Sequence, residues 1–207
     1  MKALTVLSDR QIKNRLLRWY NLADQKQFDA GCAWYNEARE FCNTLGQEYS
    51  ISPYKVAAVV SALSPQNKWA QNLKDAGTVL RAFSEGLKPE DIKVSTFHKN
   101  KQKAFDILTG NESGQIIGNK THAFAMNVGL NSPDHVTIDR WHIRACIEIP
   151  GLKPKKEKSL ALTNNEYRRL ERLTVETTKK INELHNLCLT SYQVQAIVWL
   201  TIKENRG

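Results

Sequence analysis

The stretch SPYKVAAVVSALSP, residues 52–65, decides the fold class. Ser52 followed by Pro53 is a strong helix start. A proline at the first helical position gives up no N–H the helix would use, and the serine oxygen can accept an orphan backbone donor. The run of small and branched apolar residues that follows predicts a central helix buried on most sides. Ser64-Pro65 ends it, because the residue before a proline is biased away from the helical region.

Helical periodicity and caps continue outward in both directions, and alternating β patterns between tight turns are nearly absent, so the fold class is all-α. Upstream, Ser8 caps a first helix to about Leu22, and a second runs from about Asp29 to Glu48 with Cys32, Tyr35, Ala38, Phe41, Cys42 and Leu45 on one face. These two are expected to form an antiparallel pair. Downstream, helices are expected from Trp69 to Phe83 and from Asn100 to Leu108, followed by a turn-rich connection with Gly110, Gly114 and Gly118. KTHAFAMNVG and DRWHIRACIEI each read as a short helix, the second opened by Asp139. Thr163-x-x-Glu166 is a capping box for a long charged helix to about Leu184, and Ser191 is expected to cap the last one.

The 207 residues suffice for one well-buried core or two small lobes sharing a cleft. The expected organisation is a single unit with a helical pair over 1–50, central helices over 52–148, a basic linker over 149–162 and C-terminal helices over 163–207. Lys and Arg outnumber Asp and Glu by 30 to 21, a formal charge of +9, which suits an anionic partner such as a phosphate backbone. The excess is spread, with 14 basic and 10 acidic side chains in the first 100 residues, so there is no detachable basic arm. PGLKPKKEKS (150–159) is a basic loop that either touches phosphate or is only solvated.

Cys32, Cys42, Cys146 and Cys188 are too far apart for paired zinc ligands, so no metal site is expected and most should be buried thiols. The opening MKALTVLSDRQ has too short an apolar run for a signal peptide, and no stretch approaches the roughly 20 apolar residues that cross a bilayer. The expected setting is the cytosol of a bacterium, or of one infected by a phage, with no membrane contact and no obligate protein partner.

Four patterns carry a resemblance. IIGNKTHAFAMNVG (116–129) contains Gly118, Lys120 and Thr121, and VTIDRWHIRA (136–145) contains Ile138, Asp139 and His142. AVVSALSPQNKWAQN (58–72) joins a buried helix to a polar turn, and SYQVQAIVWL (191–200) opens the final helix. In this order they resemble the helix-hairpin-helix DNA glycosylases, particularly the endonuclease III branch, over roughly residues 52–203. That family uses a glycine-rich hairpin leading into a helix, then a short loop that places a catalytic aspartate at a helix start. The chain departs from it in three ways: Ile116 replaces the first hairpin glycine, the histidine after the aspartate is displaced by one, and the four-cysteine iron–sulfur loop is missing. The expected member of that superfamily is a phage-encoded one.

The resemblance implies a two-lobed helical fold with a central cleft, in which the N-terminal segment returns to the second lobe. It also implies double-stranded DNA as partner and no cofactor. Asp139 would be the catalytic carboxylate and Lys120 a second catalytic residue. Lys120 and Asp139 are 19 residues apart, enough for a helix and a return loop that would turn both to one cleft. Leu63, Gln66, Asn67, Trp69 and Asn72 would wedge, read or stack on an extruded base, with Trp141 and His142 lining its pocket. Gly118, Asn119, Thr121 and Arg140 would hold the DNA backbone.

The chemistry suits these types. Breaking an N-glycosidic bond develops positive charge on the sugar, which a carboxylate beneath it stabilises. A helix start would keep Asp139 ionised, although such an aspartate can also be only a cap. Lys120 is either an amine that attacks C1′, giving strand cleavage by β-elimination, or a phosphate-binding cation. A base in a duplex must be flipped out to be reached. Two rivals remain on the same scaffold: a phage thymine-hypermodification transferase and a non-catalytic DNA-binding protein.

Overall fold

The computed structural model describes residues 2–110, 118–151 and 160–205. All regular structure among them is helical, with no strand, as the sequence predicts. Ile116, Gly114 and the stretch 152–159, which holds most of the basic loop, lie outside the described residues.

The chain divides into two compact units, one made of its two ends (Met1–Tyr35 and Pro133–Gly207) and one of its middle (Asn36–Ser132). The limits of these units do not coincide with the segment bounds near residues 50 and 149 expected from the sequence. The first true boundary falls inside a single helix, α3 (Gln25–Tyr49), whose two halves bury against different partners.

In the unit of the chain ends, α1 (Lys2–Thr5) precedes α2 (Asp9–Asn21), which Ser8 caps through a capping box with Gln11. Helix α2 packs mainly on α8 (Arg140–Ile147), α9 (Asn164–His185) and α10 (Ser191–Glu204). The apolar stripe Ile12, Leu16 and Trp19 is buried, and Tyr20 touches Phe28 of α3 edge-on. Two starts also differ from expectation, each because a capping box went unread. Asp24 Oδ1 accepts from Gln27 N while Gln27 Oε1 accepts from Asp24 N, so α3 begins four residues early. Thr190, with Gln193, caps α10, and Ser191 is its first helical residue.

Gly31 of α3 lies against Ile197 of α10 so closely that a Cβ there would sit 2.5 Å from the Ile197 side chain. Tyr35, one turn on, is fully buried against Tyr192.

In the middle unit, α4 (Pro53–Leu63) is the axle. Every residue from Val56 to Leu63 is buried, and α5 (Trp69–Ser84), α6 (His98–Thr109) and α7 (Asn119–Gly129) all pack on it. A helix apolar all round belongs at the centre of a bundle. Gly129 lets the end of α7 press on the start of α4, where a Cβ would meet Tyr54 Cα at 2.5 Å. Arg39 of α3 ties down the same end of α7, donating to the carbonyls of Val128 (3.2 Å) and Asn127 (3.1 Å).

Candidate active site

Asp139 is the N-cap of α8, with extended backbone (φ −95°, ψ −179°), and its Oδ1 accepts from His142 N at 2.8 Å. It is half-buried. The segment before it has no strand partner, so side chains of α9 satisfy its backbone. The Tyr167 hydroxyl donates to Val136 O (2.8 Å) and accepts from Ile138 N (3.2 Å). Glu171 Oε1 accepts from Val136 N at 3.1 Å, and Arg168 donates to Oε2 at 2.8 Å. His135 Nδ1 stands 3.6 Å from Glu171 Oε1. On the far side of Asp139, His142 Nε2 meets Thr174 Oγ1 at 2.9 Å. Residues 167, 171 and 174 share one face of α9, so one helix holds the Asp139 turn at both shoulders.

Phenols surround this turn. Tyr35 donates to Gln195 Oε1 at 2.9 Å. Burial pushes its phenol up, opposed by its hydrogen bond with Thr137 and aided by the charge of Asp139. Burial raises Tyr167 likewise. Both stay protonated, Tyr35 donating to Gln195 and Tyr167 to the Val136 carbonyl.

His142 corrects an expectation. It is completely buried, and burial holds it down at about 4, so it is a neutral core imidazole and not a pocket wall. Trp141 is half-buried with the Arg144 guanidinium 4.9 Å from its ring centroid, and Arg140 is exposed.

Lys120 belongs to the middle unit, in the first turn of α7. It donates to Ser64 Oγ at 2.8 Å, and Ser64 Oγ donates to Ser61 O at 2.9 Å, so a serine at the end of α4 orients the amine. Burial lowers the half-buried Lys103 on α6, and the nearby charge of Lys120 lowers it further. Gly118 is the N-cap of α7 and exposed, with no side-chain cap, and Asn119 is half-buried. Thr121 is buried at 6% exposure, which corrects its assignment to the DNA backbone.

The turn between α4 and α5 divides its expected roles. Leu63 is fully buried, a core residue with no surface to wedge between bases. Asn72 is also buried and donates to Val60 O at 3.0 Å, a structural bond and not a base contact. Trp69 is half-buried, edge-on to Phe124. Asn67 donates to the buried Asp75 Oδ2 at 2.8 Å. Gln66 alone of these five is exposed, and it holds φ +60°, the left-handed region that non-glycine residues seldom enter.

Sequence reading missed Tyr167, Glu171, Thr174, Ser64 and Lys103. The available signal was the polar residues on the buried face of α9 among Leu170 and Leu173, since a polar side chain kept on a core face needs a partner. All four cysteines are free thiols. Cys42 and Cys146 are buried and Cys188 is exposed, so burial is less general than expected. No group of three or more His, Cys, Asp or Glu gathers to hold a metal among the described residues. Among them, too, no helix is long and apolar enough to cross a membrane.

Fold and site thus define an all-helical protein with a side-chain-clamped aspartate at a helix start. The chain belongs to the DUF7178 family, a family of unknown function, whose model matches residues 1–206. No curated protein and no solved structure matches it.

Proposed function

We propose that this protein is a DNA glycosylase, which flips a damaged or modified base out of the duplex and breaks its N-glycosidic bond. The observation that carries this reading is the setting of Asp139: a half-buried carboxylate at the start of α8, in a segment whose flanking residues Val136 and His142 are bonded by Tyr167, Glu171 and Thr174. A cap alone needs only the bond to His142 N. The joining of the two chain ends in one unit supports it as well, because the resemblance implies that the N-terminal segment returns to the second lobe.

Asp139 stabilises the positive charge that develops on the sugar as the C1′–N bond breaks, and the base leaves with the bonding pair. In one route water adds to C1′ and gives up a proton, leaving an abasic site. In the other the Lys120 amine, neutral at the moment of attack, bonds to C1′. The ammonium loses its proton, the C1′–O4′ bond opens with O4′ taking up a proton to give the Schiff base, and β-elimination then removes a C2′ proton and expels the 3′ phosphate. The Ser64 hydroxyl holds the Lys120 amine in place for this attack. Gln66 takes the gap-filling role first given to Leu63, since it is exposed on a turn whose geometry is fixed.

The test is base release from duplexes carrying damaged or modified pyrimidines, followed by borohydride trapping. Free base or abasic sites from the wild type, lost in Asp139→Asn, support the reading, and a covalent adduct lost in Lys120→Ala assigns the lyase step. Bound DNA with no base released from any duplex overturns it. Transfer of an amine to phosphorylated hydroxymethyluracil DNA would move the chemistry to the thymine-modifying transferases.

A further inference from the structure

The loop before α6 carries an exposed aromatic side chain that nothing in the fold explains. Phe97, the N-cap residue of α6, is 53% exposed. A single exposed apolar residue is ordinary on a protein surface. This one sits on a loop pinned at three successive points. The buried Lys101 ammonium donates to Ile92 O at 2.7 Å, Ser95 N donates to Asp75 Oδ2 at 3.0 Å, and Asn100 Nδ2 donates to Thr96 Oγ1 at 2.8 Å. A loop held this firmly that still turns a phenyl ring outward presents a preorganised surface.

Asp75 Oδ2 also accepts from Asn67 of the turn between α4 and α5, while Gln71 donates to Oδ1 at 2.9 Å. One buried carboxylate oxygen therefore ties the Gln66 turn to the Phe97 loop. The left-handed Gln66 is a conformation that persists only where its surroundings over-determine it. Around the two loops Lys68, Lys93, His98 and Lys99 are exposed. The acidic residues of the segment, Glu90 and Asp91, lie in the preceding 3-10 turn, where Asp91 accepts from Lys88 N at 2.9 Å.

We propose that the Gln66 turn and the 93–99 loop form one rigid DNA-binding platform, in which Phe97 stacks on an unstacked base and Lys68, Lys93 and Lys99 meet the phosphates beside it. An aromatic face flanked by cations is the arrangement that binds a nucleic-acid strand with little regard to sequence. The inference rests on the DNA partner of the reading above and extends it to a surface outside the Asp139 and Lys120 segments.

The experiment measures binding of duplex and single-stranded DNA of the same sequence by fluorescence anisotropy over a range of salt concentrations. Phe97→Ala is expected to weaken binding about tenfold at every salt concentration, with the salt slope unchanged. Phe97→Trp is expected to restore it, and Phe97→Leu, apolar without a ring face, is not. Lys99→Ala is expected to reduce the slope by about one, as loss of one phosphate contact does. Phe97 and Lys99 are exposed, so folding is not at stake. Wild-type affinity in Phe97→Ala overturns the platform, and base release by the wild type beside that result leaves the glycosylase reading standing. Phe97-dependent binding without base release does the reverse, and no DNA binding by the wild type overturns both.

Discussion

His142 donates its Nε2 proton to Thr174. The Thr174 hydroxyl lies 2.9 Å from that nitrogen and gives its own single proton to Leu170 O at 2.8 Å, so the imidazole must be the donor and its Nδ1 carries the lone pair. Burial holds this imidazole at about 4 against an ordinary 6.5. As pH falls, the unfolded chain takes up the proton first. The stability is complete above about pH 6.5 and is lost as pH drops toward 4, by roughly 3 kcal/mol. Urea unfolding of the wild type between pH 7 and pH 4 should show this fall. In His142→Gln, which cannot titrate, that component should disappear; an unchanged pH profile would contradict the assignment.

Tyr167→Phe removes two hydrogen bonds at once and strands the Val136 carbonyl and Ile138 amide in a buried place. A loss of about 1–3 kcal/mol in chemical denaturation is expected, with faster hydrogen exchange at Ile138. If Tyr167 also positions Asp139, the single-turnover rate of base release should fall while DNA affinity holds. A variant with wild-type exchange at Ile138 would show that the clamp does not order this segment.

Two glycines should respond differently to a methyl group. In Gly129→Ala the new methyl would sit 2.5 Å from Tyr54 Cα, between backbones that cannot yield cheaply. It should destabilise the protein by about 1–3 kcal/mol, read as a lower urea midpoint. A Cβ on Gly118 meets nothing within 4 Å, so Gly118→Ala should leave stability unchanged. If a DNA phosphate approaches the start of α7, the same variant should nevertheless bind DNA more weakly.

Asparagine caps helices about as well as aspartate, so Asp139→Asn should keep the bond to His142 N and leave the unfolding free energy within about 0.5 kcal/mol of wild type. Base release should be abolished, because the neutral amide no longer stabilises a cationic sugar. Loss of stability in step with activity would instead mark Asp139 as a cap and nothing more.

Local signals were legible where the chemistry is local. Ser8, Ser52-Pro53, Asp139 and the Thr163–Glu166 box set helix starts because each satisfies backbone donors within a few residues. The apolar 56–63 run fixed a buried helix since no face of it was polar. Asp139 and Lys120 stood out through the resemblance of the segments 116–129 and 136–145 to a known family, since an aspartate at a helix start is by itself usually only a cap.

By itself, then, the sequence determined an all-helical chain and most of its cap residues, and its resemblance pointed to two ionisable groups to test. The tertiary structure alone decided which polar residues are spent on the core. Leu63, Asn72, Thr121 and His142 look alike, in sequence, to site residues, but burial assigned them to packing. It also brought Tyr167, Glu171 and Thr174 to a segment some 30 residues away in the chain, and joined Asn67 to Ser95 through Asp75. Such pairings follow from how helices stack, and a partner fixed by packing leaves no trace in spacing along the chain.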